Sequence, residues 1–465
     1  MMRQLPTGIE GLDDILCGGL MPVSATLLEG PPGCGKTTLG IQFIVNGIMK
    51  GEPGLIITFE QFAQQLYNDA KNFGWNLQEM ERQKKLRVIC TSPATVRDHL
   101  LQSEGIVHSF INRLGIKRVL VDSVSHFRRV TENDSELREL LFSMINAFKQ
   151  RGITVALTKE MGMKEEPSFE EYVVDAIVNL SYEHVGQSRV RTVEVIKTRG
   201  HDHISGKHFF RFESSGIKIF PANTRVYVED PPEFPALIAT GINGLDRMVG
   251  GGIIPGSSIL LCGPAGTGKT TLSLQSIYNV VTKYNRKAVL FLTGESKESV
   301  ARIAGGFGWD LQDLQQRGLF RIIENDFTKI NIDEYLIQIR NVLQEFKPAI
   351  VSVDSLPAVL HTIRDNLGLV TEKIRFLNNL FKAYRCVSFL IVRTPLGSNR
   401  ISVYGEEEAL CDGIMILGSR KVGQTRRRNI EVYKLRNQKH VFGECGMDIS
   451  KNGIKVFYVG KGGGR

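Results

Sequence analysis

The amino-acid sequence predicts an α/β protein built twice over: two tandem copies of a mostly parallel sheet flanked by helices, each with an antiparallel extension. Three observations predict this. The stretch Gly30-Pro31-Pro32-Gly33-Cys34-Gly35-Lys36-Thr37 lies between the apolar run Ala25-Thr26-Leu27-Leu28 and a helical pattern, and it returns as Gly263-Pro264-Ala265-Gly266-Thr267-Gly268-Lys269-Thr270. The opening Thr7-Gly8-Ile9-Glu10-Gly11-Leu12-Asp13 returns as Thr240-Gly241-Ile242-Asn243-Gly244-Leu245-Asp246, and Phe73-Gly74-Trp75 returns as Phe307-Gly308-Trp309. Within each copy, apolar β-rich runs alternate with helical patterns, as parallel strands joined by helical crossovers require.

In chain order, the runs 54–59, 87–90, 118–121 and 153–158 read as strands of the first sheet. After about residue 170 the pattern shortens to runs such as 176–182 and 192–197 with turn residues between them, which predicts antiparallel strands added at one edge. Glu229-Asp230-Pro231-Pro232-Glu233-Phe234-Pro235 reads as a linker, because its three prolines cannot donate to a sheet and stiffen the chain. The expected domains are therefore residues 1–231 and 236–465. The glycine-rich tail 460–465 is expected to be disordered.

Bulk properties narrow the class. A chain of 465 residues has length for about two or three domains, and 42% apolar residues fill a core in each. The first twenty residues carry Glu10, Asp13 and Asp14, and no segment has the length of a membrane span, so a cytoplasmic location and no membrane partner are expected. The seven cysteines are scattered without a C-x-x-C pair, which argues against a disulfide framework or a zinc site. A net charge of +9 suits contact with polyanions and equally suits sites that handle nucleotide phosphates.

Both glycine-rich stretches fit G-x-x-x-x-G-K-[ST] in a strand-loop-helix setting, the loop that cradles a nucleoside triphosphate. Gly33, Cys34, Gly35 and their counterparts Gly266, Thr267, Gly268 turn successive amides around the phosphates. The helix beginning at the loop adds its positive end, with Thr38 and Thr271 in its first turn. Lys36 and Lys269 reach the β- and γ-phosphates, and the Thr37 and Thr270 hydroxyls hold Mg²⁺. ATP with Mg²⁺ is the expected ligand. A carboxylate at the end of a buried strand completes such a metal site: Asp122, after Arg118-Val119-Leu120-Val121, and Asp354, after Ile350-Val351-Ser352-Val353, are the candidates. Hydrolysis further needs a group that orients or deprotonates water. The neighbouring strand ends at Glu60-Gln61 in the first copy and at Gly294-Glu295 in the second.

Lys36, Thr37, Asp122 and Glu60 together resemble the RecA superfamily of ATPases. The tandem layout with its T-G-I-x-G-L-D opening resembles the KaiC family across essentially the whole chain. That resemblance implies two adjacent glutamates at the strand end, the first being the stronger catalytic candidate. Each copy here keeps one: Glu60 stands at the first position, whereas Gly294 occupies it in the second copy and Glu295 follows. A carboxylate moved one residue along a strand points to the other face unless the strand has ended. The first copy is accordingly expected to hydrolyse ATP, and the second to do so slowly or not at all.

The resemblance also implies cations that reach the γ-phosphate held by a neighbouring subunit of a ring, matched here by Lys197 and Arg199 and by Lys434 and Arg436. It implies a homo-oligomer, a hexamer with ATP at its subunit interfaces, and regulatory protein partners. The family includes an autokinase whose Ser-Thr acceptors precede an Asp that begins a strand. Placing Asp412 there puts Glu408 and Ala409 at the acceptor positions, and neither accepts a phosphoryl group. Glu408 reads either as a fixed negative charge or as part of a solvated charged loop, and Ser398, Ser402 and Tyr404 remain as hydroxyls nearby. Serine/threonine autokinase activity is one alternative. A DNA-handling ATPase, suggested by Arg426-Arg427-Arg428, is another, less favoured because no aromatic residues interleave with the basic ones.

Overall fold

The computed structural model describes residues 4–96, 106–131, 133–161, 170–185, 188–221, 228, 230–326, 331–394, 400–422 and 424–457. The chain divides into two compact units, Met1–Thr224 and Arg225–Arg465. Each contains a sheet in which the described residues form nine strands.

In the first unit the strands are β1 (Ala25–Gly30), β2 (Gly54–Thr58), β3 (Leu86–Cys90), β4 (Arg118–Asp122), β5 (Thr154–Glu160), β6 (Ala176–Val185), β7 (Ser188–Thr198), β8 (Lys207–Glu213) and β9 (Gly216–Phe220). Their order is β3-β2-β4-β5-β1-β6-β7-β8-β9. The strands through β6 pair in parallel, and β6 to β9 form an antiparallel meander. The second unit repeats this with β10 (Ser258–Gly263), β11 (Ala288–Leu292), β12 (Phe320–Glu324), β13 (Ile350–Asp354), β14 (Val387–Arg393), β15 (Gly413–Val422), β16 (Thr425–Leu435), β17 (Glu444–Ser450) and β18 (Gly453–Phe457), in the order β12-β11-β13-β14-β10-β15-β16-β17-β18.

The central strands are buried along their whole length because helices cover both faces. Side-chain alternation sends Leu28 and Leu120 into one cluster with the helix Lys36–Met49. Leu27, Val119 and Val121 go into the opposite cluster with the helix Asp134–Lys149. Stacking strands in this way gathers the C-terminal ends of β1, β2, β4 and β5 on one rim, where the glycine-rich loop also lies.

The repeated T-G-I-x-G-L-D opening is a structural clasp. Thr7 N and Oγ1 donate to Asp13 Oδ1 at 2.7 and 2.6 Å, and Gly8 N donates to Oδ2 at 2.9 Å. Thr240 and Gly241 bind Asp246 in the same way at 2.8, 2.7 and 2.9 Å. A second repeated device ties the helix after the loop to the last strand. Gln42 donates to Ile217 O and accepts from Ile217 N, and Gln275 does the same with Ile454. The proline segment expected to link the copies is partly docked on the second unit: Phe234 packs on its core beneath the Arg286 guanidinium, and Lys347 Nζ donates to Asp230. The tail 460–465 lies outside the described residues.

Replacing Asp246 with Ala strands three donors around a buried turn. The second unit is expected to lose about 3 kcal/mol of stability, read from Trp309 fluorescence during urea unfolding of the full chain carrying Trp75→Phe.

Candidate nucleotide sites

Each glycine-rich loop leaves its strand and enters a helix through a residue in the left-handed region, Gly35 (φ 112°) or Gly268 (φ 104°). Only glycine adopts this without strain, and it aims the first free amides of the helix into the loop. Lys36 is buried, and its Nζ donates to Gly30 O at 2.9 Å and Pro31 O at 3.0 Å. Lys269 repeats this with Gly263 O and Pro264 O at 2.7 and 2.8 Å. Both ammonium groups therefore sit inside the loop, with one of three donors left over. Burial pulls the Lys269 ammonium below its ordinary pKa, Arg393 adds to this, and Asp354 opposes it.

Thr37 Oγ1 donates to Asp122 Oδ2 at 2.8 Å and Thr270 Oγ1 to Asp354 Oδ2 at 2.7 Å, joining each loop helix to the end of β4 or β13. Sequence reasoning missed a further partner, Thr158 of β5, whose hydroxyl donates to Asp122 Oδ1. Burial raises the Asp354 carboxyl and Glu295 raises it further, against the lowering effects of Thr270 and Lys269. A hydroxyl and a carboxylate oxygen facing each other at a phosphate loop fit Mg²⁺, which takes one or two protein oxygens and fills its octahedron with water and phosphate.

Thr38 and Thr271 follow in the first helical turns, partly buried. Cys34 is fully buried, its thiol pushed up chiefly by desolvation, and Gly33 O accepts from the Tyr182 hydroxyl. Thr267 Oγ1 donates to Pro264 O at 2.9 Å, bracing the second loop. Of the cysteines, Cys17 and Cys90 are exposed and the other five buried, all free.

The two candidate bases lie in different surroundings. Glu60 follows β2, its side chain 53% exposed, and Oε1 lies 2.6 Å from Nε2 of buried His126. In the second copy β11 ends at Leu292, so strand alternation no longer governs Glu295. Its charge bears on Asp354, and its Oε2 is buried with no hydrogen-bond partner among the described residues.

The expected trans cations form a matched pair of clamps. Lys197 Nζ donates to Glu171 O and Val174 O at 2.7 and 3.0 Å, and Arg199 Nη2 to Tyr172 O at 2.9 Å. Lys434 Nζ donates to Glu408 O and Cys411 O at 2.7 and 2.8 Å, and Arg436 Nη2 to Ala409 O at 2.9 Å. Each pair thus holds the short helix before β6 or β15, Glu170–Val173 or Glu406–Leu410. Burial, then the neighbouring arginine, lowers both lysine ammonium groups. Register puts Arg199 at the opposite end of the sheet from its own loop: its N–H bonds Asp175 O, whose own N–H bonds Ala25 O at the start of β1. The length of β1, roughly 16 Å at the usual strand rise, separates that level from Gly30.

Residues 406–410 are helical rather than a solvated loop. Glu407 is fully buried and accepts from Tyr404 N, and Glu408 Oε1 accepts from Ser402 N and Oγ at 3.0 and 2.9 Å. Ser402 is buried and Tyr404 half-buried, while Ser398 lies outside the described residues.

The family model described as "ATPase: KaiC" matches residues 5–224 and again 238–460. The chain belongs to the KaiC ATPase family. It is 32% identical over 469 residues to the circadian clock oscillator protein KaiC of Thermostichus vulcanus, covering 98% of this chain and 89% of that one. It is 30% identical over 475 residues to the circadian clock protein KaiC2 of a Synechocystis species, covering 98% and 82%. The KaiC of Synechococcus elongatus is 32% identical over 376 residues, covering 78% and 72%. The loops, the paired Thr and Asp, and both clamps therefore lie within KaiC-type ATPase domains. Among the described residues no helix is long and apolar enough to cross a membrane.

Lys434→Met removes two carbonyl bonds under the helix before β15. Amide exchange at 406–412 is expected to accelerate by ~10-fold or more by mass spectrometry, with the amides of the helix Lys269–Tyr284 unchanged.

Proposed function

We propose that this KaiC-family chain binds Mg·ATP in both copies and hydrolyses it chiefly in the first, and that nucleotide state sets its self-assembly and its docking of regulatory partners. The observation that carries this reading is the constellation built twice: a buried lysine inside a glycine-rich loop, with the hydroxyl of the threonine that follows it bonded to a strand-end aspartate.

Lys36 and Lys269 exchange a loop carbonyl for the β- and γ-phosphates when ATP enters, and the loop amides take the remaining phosphate oxygens. Thr37 with Asp122, and Thr270 with Asp354, would hold Mg²⁺, which neutralises charge on the β- and γ-oxygens when bound. Glu60 is the base that takes a proton from the attacking water. Gly294 supplies no such group, so the second copy relies on Glu295 from the following position and turns over more slowly.

Lys197 with Arg199, and Lys434 with Arg436, serve a nucleotide on a neighbouring copy. Their distance from the loop of their own unit supports this, and it makes ATP a bridge between subunits of a homo-oligomer, a hexameric ring by family likeness. The relatives named as circadian clock proteins favour a clock-type regulatory role. Autokinase activity is disfavoured by Glu408 and Ala409 at the acceptor positions and by the buried Ser402 hydroxyl already bonded to Glu408. DNA handling is disfavoured because the basic hairpin around Arg426-Arg427-Arg428 has no aromatic residue from 419 to 429 on which a base stacks.

Phosphate release at saturating Mg·ATP tests the assignment of the base. Glu60→Gln is expected to lower total turnover by ~100-fold and Glu295→Gln by less than about twofold, and an unaffected Glu60→Gln rate would remove Glu60 from the role. By calorimetry, Lys36→Ala with Lys269→Ala is expected to abolish ATP uptake.

A further inference from the structure

We propose that His126 is a positioning residue for Glu60, orienting one carboxylate oxygen for the attacking water and setting the turnover of the first copy; this rests on Glu60 being the base. His126 Nε2 lies 2.6 Å from Glu60 Oε1, an ion-pair distance, and this buried nitrogen makes no hydrogen bond among the described residues. The imidazole is buried whereas the carboxylate is half exposed. The ring is therefore the fixed partner and the carboxylate the one being fixed.

Several contacts hold the ring in place. His126 sits on the 3-10 turn Val124–Arg129 that follows β4, and its N–H donates to Ser123 O at 3.3 Å. Phe59, the residue before Glu60, meets the His126 ring at 6.3 Å between centroids and packs edge-on against Phe127 at 5.1 Å. Phe59 N in turn donates to Asp122 O at 3.0 Å. The backbone that carries the base is thus hydrogen-bonded to the strand end that carries Asp122, and the turn following that strand end carries His126.

With Oε1 held against the His126 imidazole, the glutamate is left with Oε2 as its acceptor. The water proton passes to Oε2 while the water oxygen bonds to the γ-phosphorus. The bond to the bridging oxygen breaks with its electron pair remaining on ADP. The proton then leaves half-exposed Glu60 to bulk water, which restores the carboxylate.

The second copy supplies an internal control. Its corresponding segment after the strand is Asp354-Ser355-Leu356-Pro357-Ala358, which places Ala358 where the first copy has His126, and Gly294 stands where the first copy has Glu60. At these two matched positions, carboxylate and imidazole are present together in the first copy and absent together from the second. A histidine buried only to fill the core would have no reason to follow the carboxylate.

The test uses the full chain carrying Glu295→Gln, so that turnover reports the first copy, and measures phosphate release at saturating Mg·ATP alongside ATP affinity. His126→Ala is expected to lower kcat by about tenfold or more with affinity changed by less than about twofold. His126→Gln, which keeps an N–H donor, is expected to recover most of the rate. In a Glu60→Gln background His126→Ala is expected to change nothing further, because the group it positions is gone. Should alanine lower the unfolding temperature, His126→Leu repeats the comparison with the volume kept and the donor lost. An undiminished kcat in the donor-lacking variants, or an equal loss in the Glu60→Gln background, overturns the role of His126 alone. A wild-type rate for Glu60→Gln overturns the base assignment and this inference with it.

Discussion

One hydrogen bond, made twice, organises each unit: a threonine hydroxyl in the first turn of the loop helix donates to an aspartate at the end of a buried parallel strand. It requires strand, loop and helix to meet within one bond length, although loop and aspartate are far apart in sequence. The parallel sheet meets that demand, because only β5 separates β4 from β1 and both end on the same rim. The two-sided helical cover, the buried central strands and the left-handed glycine entering each helix all serve to keep that meeting point fixed.

Around this shared scaffold the copies have diverged in their polar chemistry. In the first, Asp122 also receives the Thr158 hydroxyl, and Glu60 lies against the His126 imidazole. In the second, Asp354 lies within the influence of Glu295, whose buried oxygen has no hydrogen-bond partner among the described residues. Burial and then the nearby Glu295 charge raise the Asp354 carboxyl, and a bound cation would favour its ionised form. The clasp aspartates Asp13 and Asp246 and the glutamines Gln42 and Gln275 make the same hydrogen bonds in both copies.

The clamp cations give each unit a second end. Lys197 and Lys434 fasten the short helix that precedes β6 or β15, and the arginine two residues on fastens the same segment by a single carbonyl. A guanidinium has five donors, so this bond sets where the group lies while leaving capacity for a second partner. The segment so held carries Glu407 and Glu408, which in turn fix Ser402 and Tyr404. The far end of the sheet is thus ordered by the same side chains that the family likeness assigns to a neighbour's nucleotide.

The sequence by itself determined the duplication, the phosphate loops and the strand-end aspartates, because these depend on local chemistry: glycines where amides must converge, apolar runs where strands are buried, a carboxylate where such a run stops. It also determined the alternation that builds a parallel sheet with an antiparallel edge. Only the tertiary structure decided which side chains meet across strands. His126 was invisible beside Glu60 because their contact depends on the β2–β4 register. Thr158 was hidden in an apolar strand, and the acidic run at 406–408 read as solvated until folding buried Glu407. Spacing along the chain carries no information on such pairs; the lateral registry of strands, fixed by the packing of the whole sheet, brings them together.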